Sequence, residues 1–381
     1  MKVYFDNAAT TPMNSEVIEM MTQMMREEYG NPSSTHAHGR IVRTHVEEAR
    51  KKVASLLNCS PGEIFFTSGG TEADNMAIRK SVLDLGVKNI ISSAIEHHAV
   101  SHTIEEVCKK GEVKSYLVNL LPNGHIDLLH LENLLQNNAN TLVCLMHANN
   151  EIGNMIDIDK VAQLCSQYNA LLQCDTVQTM GHYAFDLVKT PVTFLACGAH
   201  KFNGPKGVGF IYINSKLRIT PLITGGSQER NMRGGTENVY GIVGLAKALE
   251  ISCANLDQDK LKIQSLKSYM MNELKKHIPG VLFNGDPEGS SLYTVLSVNF
   301  PPTPIAEMML FKLDIAGISA SGGSACSSGS NVGSHVLTAL NIGSDRPCIR
   351  FSFGKQNTQE EVDYVVTQLC AMLKINQTQS N

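Results

Sequence analysis

Between residues 64 and 175, short apolar runs alternate with amphipathic segments, and this alternation constrains the fold more than any other feature of the sequence. The apolar runs are IFFTS (64–68), NIISSAI (89–95), SYLV (115–118), TLVCLMH (141–147) and ALLQCD (170–175). Helical patterns follow them, as in DLLHLENLLQNN and DIDKVAQLCSQY. Strands that alternate with helices form a mainly parallel sheet with helices on both faces. The predicted fold class is therefore α/β, with a large domain built on such a sheet.

The pattern changes after about residue 255. A long helical segment (258–276) precedes the runs TVLSVNF, IAEMMLFKLDIAG and IRFSFG, and a last helix is predicted from Thr358. This order predicts a smaller α+β domain, which the first strand of the chain joins. We assign residues 15–255 to the large domain, and residues 1–14 and 256–381 to the small domain. Residues 321–334 (SGGSACSSGSNVGS) are rich in serine and glycine, which predicts a mobile loop.

Composition excludes several classes of protein. The net charge of −4 argues against a nucleic-acid binder that relies on basic patches. No apolar run is long enough to span a bilayer, and the start MKVYFDNAATTP lacks the apolar core of a signal peptide. We therefore expect a cytoplasmic protein that does not contact a membrane. The ten cysteines are scattered, without a CxxC pair or Cys/His metal spacing, so no metal site is expected.

Lys201 stands in an unusual position, between two apolar runs of the segment TFLACGAHKFNGPKGVGFIYI (193–213). It follows His200 and precedes a glycine-rich turn. Most lysines are solvated surface residues, and a turn lysine before a strand is the ordinary interpretation. A lysine at a strand end can also form a Schiff base with a carbonyl cofactor.

Further polar residues are predicted to lie at the carboxyl ends of strands, where ligands bind in open α/β sheets. Thr71, in SGGTE, opens a helix whose amino end favours an anion, although an ordinary helix cap explains the same residues. Asp175 and Gln178 follow ALLQCD, and the carboxylate is suited to capping a helix or holding a protonated pyridine nitrogen. His97 is suited to capping a helix or stacking on a flat ring. Together with Lys201, these residues resemble a site for pyridoxal phosphate.

The chain resembles the cysteine desulfurases, pyridoxal phosphate enzymes of the class V aminotransferases with the fold-type I architecture. The resemblance covers nearly the whole chain. The motifs that carry it, in order, are FDNAATTP, GNPSSTHAHGR, FTSGGTEADN, EHHAV, MHANNEIG, CDTVQTMG, AHKFNGPKGVG, RGGTEN, SGGSAC and IRFSFG. It implies a homodimer that converts L-cysteine to L-alanine and passes the sulfur to an acceptor protein, such as an iron–sulfur scaffold.

The resemblance also implies roles for the residues around the cofactor. Lys201 would form the Schiff base and move protons at the substrate α-carbon. His97 would stack on the pyridine ring, and Asp175 would pair with the pyridine nitrogen. Asn150 and Gln178 would bond the phenolic oxygen.

Other residues are implied to hold the cofactor phosphate and the substrate. The phosphate would be bound by Gly70, Thr71 and His200, with Thr236 reaching in from the second subunit. Arg350 would bind the substrate carboxylate, for which a bidentate guanidinium is suited, although a surface strand arginine is the ordinary interpretation. Asn31 would help to position the substrate.

Cys326 lies in the serine- and glycine-rich loop, and the resemblance makes it the nucleophile that takes the sulfur as a persulfide. A thiol that receives sulfur at one place and delivers it at another needs a mobile arm, which this composition provides. The segment 322–334 resembles the long-loop group of the family. Two residues depart from the family pattern: Gly198 and Gly322 stand where serines are usual.

Two other interpretations remain open. A selenocysteine lyase, or another class V enzyme such as an aminotransferase, would share most of these motifs. Cys326 argues against an aminotransferase, because transamination needs no thiol on a loop. A non-catalytic sulfur carrier or scaffold would not need Lys201, Asp175 and His97, all of which are present.

Overall fold

The structure, a computed structural model, describes residues 1–322, 333–343 and 346–374. A seven-stranded sheet lies at its centre. In spatial order its strands are β2 (Ile64–Thr67), β8 (Gly209–Ile213), β7 (Phe194–Gly198), β6 (Leu171–Asp175), β5 (Thr141–Met146), β3 (Asn89–Ser93) and β4 (Lys114–Val118). Strand β8 is antiparallel to both of its neighbours, and the other neighbouring pairs are parallel. The predicted mainly parallel α/β sheet is confirmed.

Helices cover both faces of this sheet. They are α1 (Ser15–Glu27), α2 (Ala37–Leu56), α3 (Gly70–Leu85), α4 (His98–Cys108), α5 (Leu128–Asn137), α6 (Ile158–Gln167), the one-turn α7 (Gln228–Asn231) and α8 (Val239–Ala254). Strand residues alternate between the faces: Phe66 packs in the core under α2 and α8, and Phe65 packs with α3 on the other face. The strands read as unbroken apolar runs because both faces are buried.

A second group of elements has its own apolar core. It contains β1 (Val3–Tyr4), α9 (Leu256–His277), β9 (Leu282–Phe283), β10 (Val295–Asn299), α10 (Met309–Ile315), β11 (Ile318–Ser319), β12 (Cys348–Ser352) and α12 (Gln359–Met372). Helix α11 (His335–Ala339) lies between β11 and β12 in the chain, but its Val336 packs with Ile95 and Ile152. β12, β10 and β9 form an antiparallel sheet, and β1 pairs with β11. Val3 and Phe5 therefore share a core with residues 263–370. The domain boundaries given above stay a prediction.

Helices α7, α8 and α11 were not predicted, and α8 is the longest of the three. Helix α8 is apolar on most of its surface, and Leu245, Ala248 and Leu249 are almost fully buried. A helix buried on several sides lacks the one-sided periodicity that marks an amphipathic helix. Among the described residues no single helix could cross a membrane. The pair α8 and α9 passes that test only together, with a bend of 74° between the two helices.

Candidate active site

A cavity of about 240 Å³ lies at the carboxyl ends of β5, β6 and β7. Nine residues predicted from the sequence line it: Gly70, Thr71, His97, Asn150, Asp175, Gln178, His200, Lys201 and Arg350. Parallel strands end at one edge of a sheet, and the loops that follow them meet there. The structure therefore brings together predicted residues from as far apart in the sequence as Gly70 and Arg350.

Two predicted residues of the described chain do not line this cavity, and a third falls outside the described residues. Thr236 lines a separate cavity of about 70 Å³, with Gly207 and Arg233. The Asn31 side chain accepts a hydrogen bond from the main-chain N–H of Ser33 in the turn after α1. Cys326 lies outside the described residues. The roles assigned to these residues stay predictions.

Lys201 ends a short 3₁₀ turn that follows β7 directly. Its Nζ donates to the carbonyl oxygens of Ala8 and Ala9, at 2.5 and 2.8 Å. The lysine is half-buried and therefore not the solvated turn residue of the ordinary interpretation. The sequence did not predict the contacts of Lys201 with Ala8 and Ala9, because a residue of any type has a main-chain carbonyl oxygen.

The amino end of α3 faces the cavity without a side-chain cap. A Cβ on Gly70 would lie 2.4 Å from Cγ2 of Val177, so glycine is needed for this helix to approach the turn after β6. The Glu72 carboxylate pairs with Arg233, 3.1 Å away. The first N–H groups of α3, with the Thr71 hydroxyl, are therefore suited to an anion in the cavity.

His97 and Asp175 each combine a structural hydrogen bond with a place in the cavity wall. His97 caps α4, its Nδ1 accepting from the N–H of Ala99 at 3.1 Å. Asp175 ends β6 and accepts from the N–H of Val177 at 2.9 Å. Burial raises the pKa of Asp175, and the electrostatic influence of His97, the hydrogen bond from Val177 and the charge of Lys201 oppose that shift. The carboxylate is thus poised to pair with a cation in the cavity.

Two further buried carboxyl groups lie next to Asp175, and sequence reasoning missed both. Asp74 lines the cavity and accepts from Nε2 of Gln173 at 2.8 Å. Glu96 accepts from the Ser93 hydroxyl at 2.6 Å, while its Oε2 has no partner among the described residues. Burial raises the pKa of Asp74 well above its ordinary value, and that of Glu96 from 4.5 to about 8.

Glu96 makes the stability of the protein depend on pH. Its pKa is raised on folding, so its contribution to stability is complete below pH 4.5 and is lost as the pH rises to 8. We expect the free energy of unfolding of wild type to fall by about 1.4 kcal/mol per pH unit from this group between pH 5 and 8. Glu96→Gln cannot ionise and should flatten that slope. Denaturant titrations at four pH values measure it, with the exposed Glu112→Gln as control, and equal slopes in Glu96→Gln and wild type would contradict the expectation.

Arg350, in β12, is only 2% exposed and lies beside the cavity. One terminal nitrogen donates to the carbonyl of Asn150 at 2.8 Å, and the other to the carboxylate of Asp6 at 2.9 Å. Its Nε has no partner among the described residues. A buried guanidinium donor without a partner is suited to a ligand carboxylate. The ordinary interpretation of a surface strand arginine is wrong, and Asp6 was not foreseen.

Gln178 and His200 complete the set of lining residues. Nε2 of Gln178 donates to the carbonyl of Ala8 at 3.0 Å. Nδ1 of His200 lies 3.2 Å from the Thr10 hydroxyl. Burial lowers the pKa of His200 to about 4, so its imidazole is neutral at pH 7 and can donate one N–H to an anion.

Comparisons with known proteins agree with this geometry. The family model "Aminotransferase class-V" matches residues 3–365. "Cysteine desulfurase IscS" of Dictyoglomus turgidum is 41% identical over 372 residues, which cover 96% of this chain and 93% of that protein.

Two solved structures are similar over most of their length. "NifS-like protein" has a TM-score of 0.90 and 38% identity, and covers 98% of this chain and 100% of its own. "SspA in complex with cysteine" has a TM-score of 0.81 and 27% identity, and covers 94% and 100%. The chain therefore belongs to the class V aminotransferases, a family of pyridoxal phosphate enzymes, and within it to the cysteine desulfurases.

Proposed function

We propose that this enzyme removes sulfur from L-cysteine with pyridoxal phosphate held in the 240 Å³ cavity, releases L-alanine and leaves the sulfur on Cys326. One observation carries the proposal. The cavity wall combines a lysine, a buried carboxylate and a buried arginine whose Nε has no described partner. These groups match the aldehyde and pyridine nitrogen of the cofactor and the carboxylate of an amino acid.

The residues present fit pyridoxal phosphate. The uncapped amino end of α3, with Thr71 and His200, offers donors for the phosphate. The absence of a side chain on Gly70 keeps that end of the helix against the turn after β6. Asp175 offers a buried carboxylate for the pyridine nitrogen. When bound, pyridoxal phosphate supplies an electron sink for the electrons of a bond broken at the substrate α-carbon.

Each residue then has a task that its position allows. Asp175 would keep a proton on the pyridine nitrogen, and His97 would contact the ring. Lys201 would bind the cofactor aldehyde and move the proton at the substrate α-carbon. Arg350, in the cavity wall, would bind the substrate carboxylate.

Cys326 completes the reaction as the sulfur acceptor. Its thiolate would attack the substrate sulfur, so that the new S–S bond forms as the bond between substrate Cβ and Sγ breaks. The electron pair left on Cβ would then take up a proton, which gives the methyl group of L-alanine. The nine described cysteines are poorly suited to this task. Burial raises the thiol pKa of eight of them, namely Cys59, Cys108, Cys144, Cys165, Cys174, Cys197, Cys253 and Cys348, and the ninth, Cys370, is only 1% exposed. A thiolate is the reactive form, and burial makes it scarce.

The proposal includes a homodimer and a protein that accepts the sulfur, such as an iron–sulfur scaffold. Ile18, Met25 and Ile41 are 48%, 50% and 45% exposed on α1 and α2, which supports an apolar contact with a second copy. In such a dimer Thr236 would serve the partner's cofactor phosphate. Light scattering measures the oligomeric state directly.

The purified protein tests the proposed function. We expect a yellow protein that releases L-alanine and sulfide in equal amounts from L-cysteine when a reductant is present. Without reductant, mass spectrometry should find one added sulfur on the peptide that contains Cys326. Turnover of L-selenocysteine alone would favour a selenocysteine lyase, and formation of a keto acid would favour an aminotransferase. A protein that binds no pyridoxal phosphate would contradict the whole proposal.

Gly198 offers a place where phosphate affinity can be increased. Its φ is −132°, so the position does not require glycine, and a Cβ there meets its nearest atom at 3.6 Å. Gly198→Ser restores the hydroxyl that is usual in the family, and a neutral hydrogen bond is worth about 1 kcal/mol. We expect the variant to bind pyridoxal phosphate about fivefold more tightly. Equilibrium titration of cofactor-free protein measures this, with Gly198→Ala as the control that adds Cβ without the hydroxyl. Weaker binding by the serine variant would contradict it.

A further inference from the structure

A chain of hydrogen bonds reaches the main chain of Lys201 through two residues that do not line the 240 Å³ cavity. Nε2 of His182 lies 3.1 Å from the carbonyl oxygen of Lys201. Nδ1 of the same ring lies 3.0 Å from the hydroxyl of Tyr293. Tyr293 is 1% exposed and belongs to the core that contains α9 and α12. The chain therefore ties the turn that carries Lys201 to the second hydrophobic core.

These contacts determine which nitrogen of His182 carries the proton. A carbonyl oxygen only accepts hydrogen bonds, so Nε2 must donate to Lys201. Burial lowers the pKa of His182, which favours a neutral ring with a single N–H. The Tyr293 hydroxyl lies 3.0 Å from Nδ1 and 3.3 Å from the carbonyl oxygen of His182, and the unprotonated Nδ1, at the shorter distance, accepts its proton. The tyrosine holds the histidine in the tautomer that can bond Lys201.

Packing around the same segment supports this arrangement. Gly181 has a φ of +76°, and a Cβ there would lie 2.6 Å from Cβ of Phe202, the residue after Lys201. Glycine thus allows the turn before His182 to lie against the lysine segment. The preceding carbonyl, that of His200, accepts from the N–H and the hydroxyl of Thr11, both at 2.9 Å. Two consecutive carbonyls are therefore fixed by side chains or main chain from elsewhere in the protein.

We propose that His182, oriented by Tyr293, is a positioning residue that fixes the main chain of Lys201 and so holds Nζ where it reacts with the cofactor. The inference rests on the proposed role of Lys201. Without the donor from His182, residues 199–203 gain conformational freedom. A smaller fraction of molecules then presents Nζ to the cavity in the reactive geometry, which lowers rates more than substrate affinity.

Two substitutions of similar polarity separate positioning from packing. The amide nitrogen of glutamine reaches about as far as Nε2 of histidine, whereas that of asparagine reaches only as far as Nδ1. His182→Gln should therefore restore the bond to Lys201, and His182→Asn should not. Tyr293→Phe removes the hydroxyl that sets the tautomer. His125→Gln is the control, because this histidine pairs with Asp286 at 3.0 Å and does not line the cavity.

Three measurements are made on each variant. The first is the rate at which cofactor-free protein takes up pyridoxal phosphate, from the rise in visible absorbance. The second is kcat and KM for L-cysteine. The third is amide hydrogen exchange of residues 199–204 in cofactor-free protein, which does not depend on any chemistry at Lys201.

We expect His182→Asn to slow cofactor uptake and kcat by about fivefold, with KM changed less than twofold and faster exchange at residues 199–204. His182→Gln and His125→Gln should stay near wild type, and Tyr293→Phe should fall between. Equal behaviour of the Gln and Asn variants, or unchanged exchange in His182→Asn, would overturn the inference. If wild type takes up no cofactor, the proposed function fails, and the exchange data still decide whether His182 fixes the segment.

Discussion

Cys326→Ser is expected to abolish catalytic sulfide release from L-cysteine while the protein still binds pyridoxal phosphate and substrate. A serine hydroxyl cannot hold a persulfide, and the groups proposed to bind cofactor and substrate, Lys201 and Arg350 among them, are unchanged. The burial of the described cysteines leaves no equally suited thiol among them, so we expect no substitute nucleophile. Sulfide and L-alanine are measured over many turnovers in wild type and variant.

The matched control for this change is Cys253→Ser. Cys253 is half-buried in the last turn of α8, and burial raises its pKa. It should keep wild-type turnover. Normal desulfuration by Cys326→Ser, or an added sulfur on a peptide other than the one containing Cys326, would assign the nucleophile elsewhere. The selenocysteine lyase and aminotransferase interpretations would then become stronger.

Lys201→Ala should remove both covalent retention of the cofactor and turnover. The variant loses the amine that we propose binds the cofactor aldehyde and moves the α-proton. Positioned acid–base groups alone contribute about 10²- to 10⁴-fold to a rate, so we expect a loss of at least about 10³-fold. Borohydride reduction followed by mass spectrometry shows whether cofactor is attached to the protein.

Lys206→Ala is the control for Lys201→Ala. Lys206 is exposed in the same glycine-rich turn and lies outside the lining of the cavity. It should keep the attached cofactor and nearly all activity. If the cofactor remains attached in Lys201→Ala, another lysine forms the bond, and the assignment of Lys201 is wrong.

The fold was largely predictable because the local pattern of apolar and polar residues indicates which side chains are buried. Strand β6 was predicted as residues 170–175 and spans Leu171–Asp175, and Thr358 caps the last helix as the sequence suggested. The convergence of Asp175, His97 and Lys201 followed from their places at strand ends. The carboxyl ends of neighbouring parallel strands lie at the same edge of the sheet, and this general rule was enough to predict that these residues lie close together.

The contacts that tune the site could not be predicted, because each joins distant parts of the chain. Asp6 pairs with Arg350 across 344 positions, and Lys201 bonds carbonyls some 190 positions away. The sequence also gave no indication that Asp74 and Glu96 are buried, because acidic residues are usually exposed to solvent. Helix α8 was not predicted because its apolar residues lie on most sides of the helix and so show no one-sided pattern.

The contacts of residues 3–9 have a consequence for synthesis of the protein. Strand β1 pairs with Ile318–Ser319, Asp6 holds Arg350, and the carbonyls of Ala8 and Ala9 receive the lysine ammonium. Residues 3–6 therefore find these partners only after β11 and β12 have been synthesised. The strands of the central sheet, which end at Ile213, precede β11 and β12 in the chain, so the sheet can form before Arg350 is in place beside the cavity. The cavity wall is therefore completed only when the second group of elements has folded.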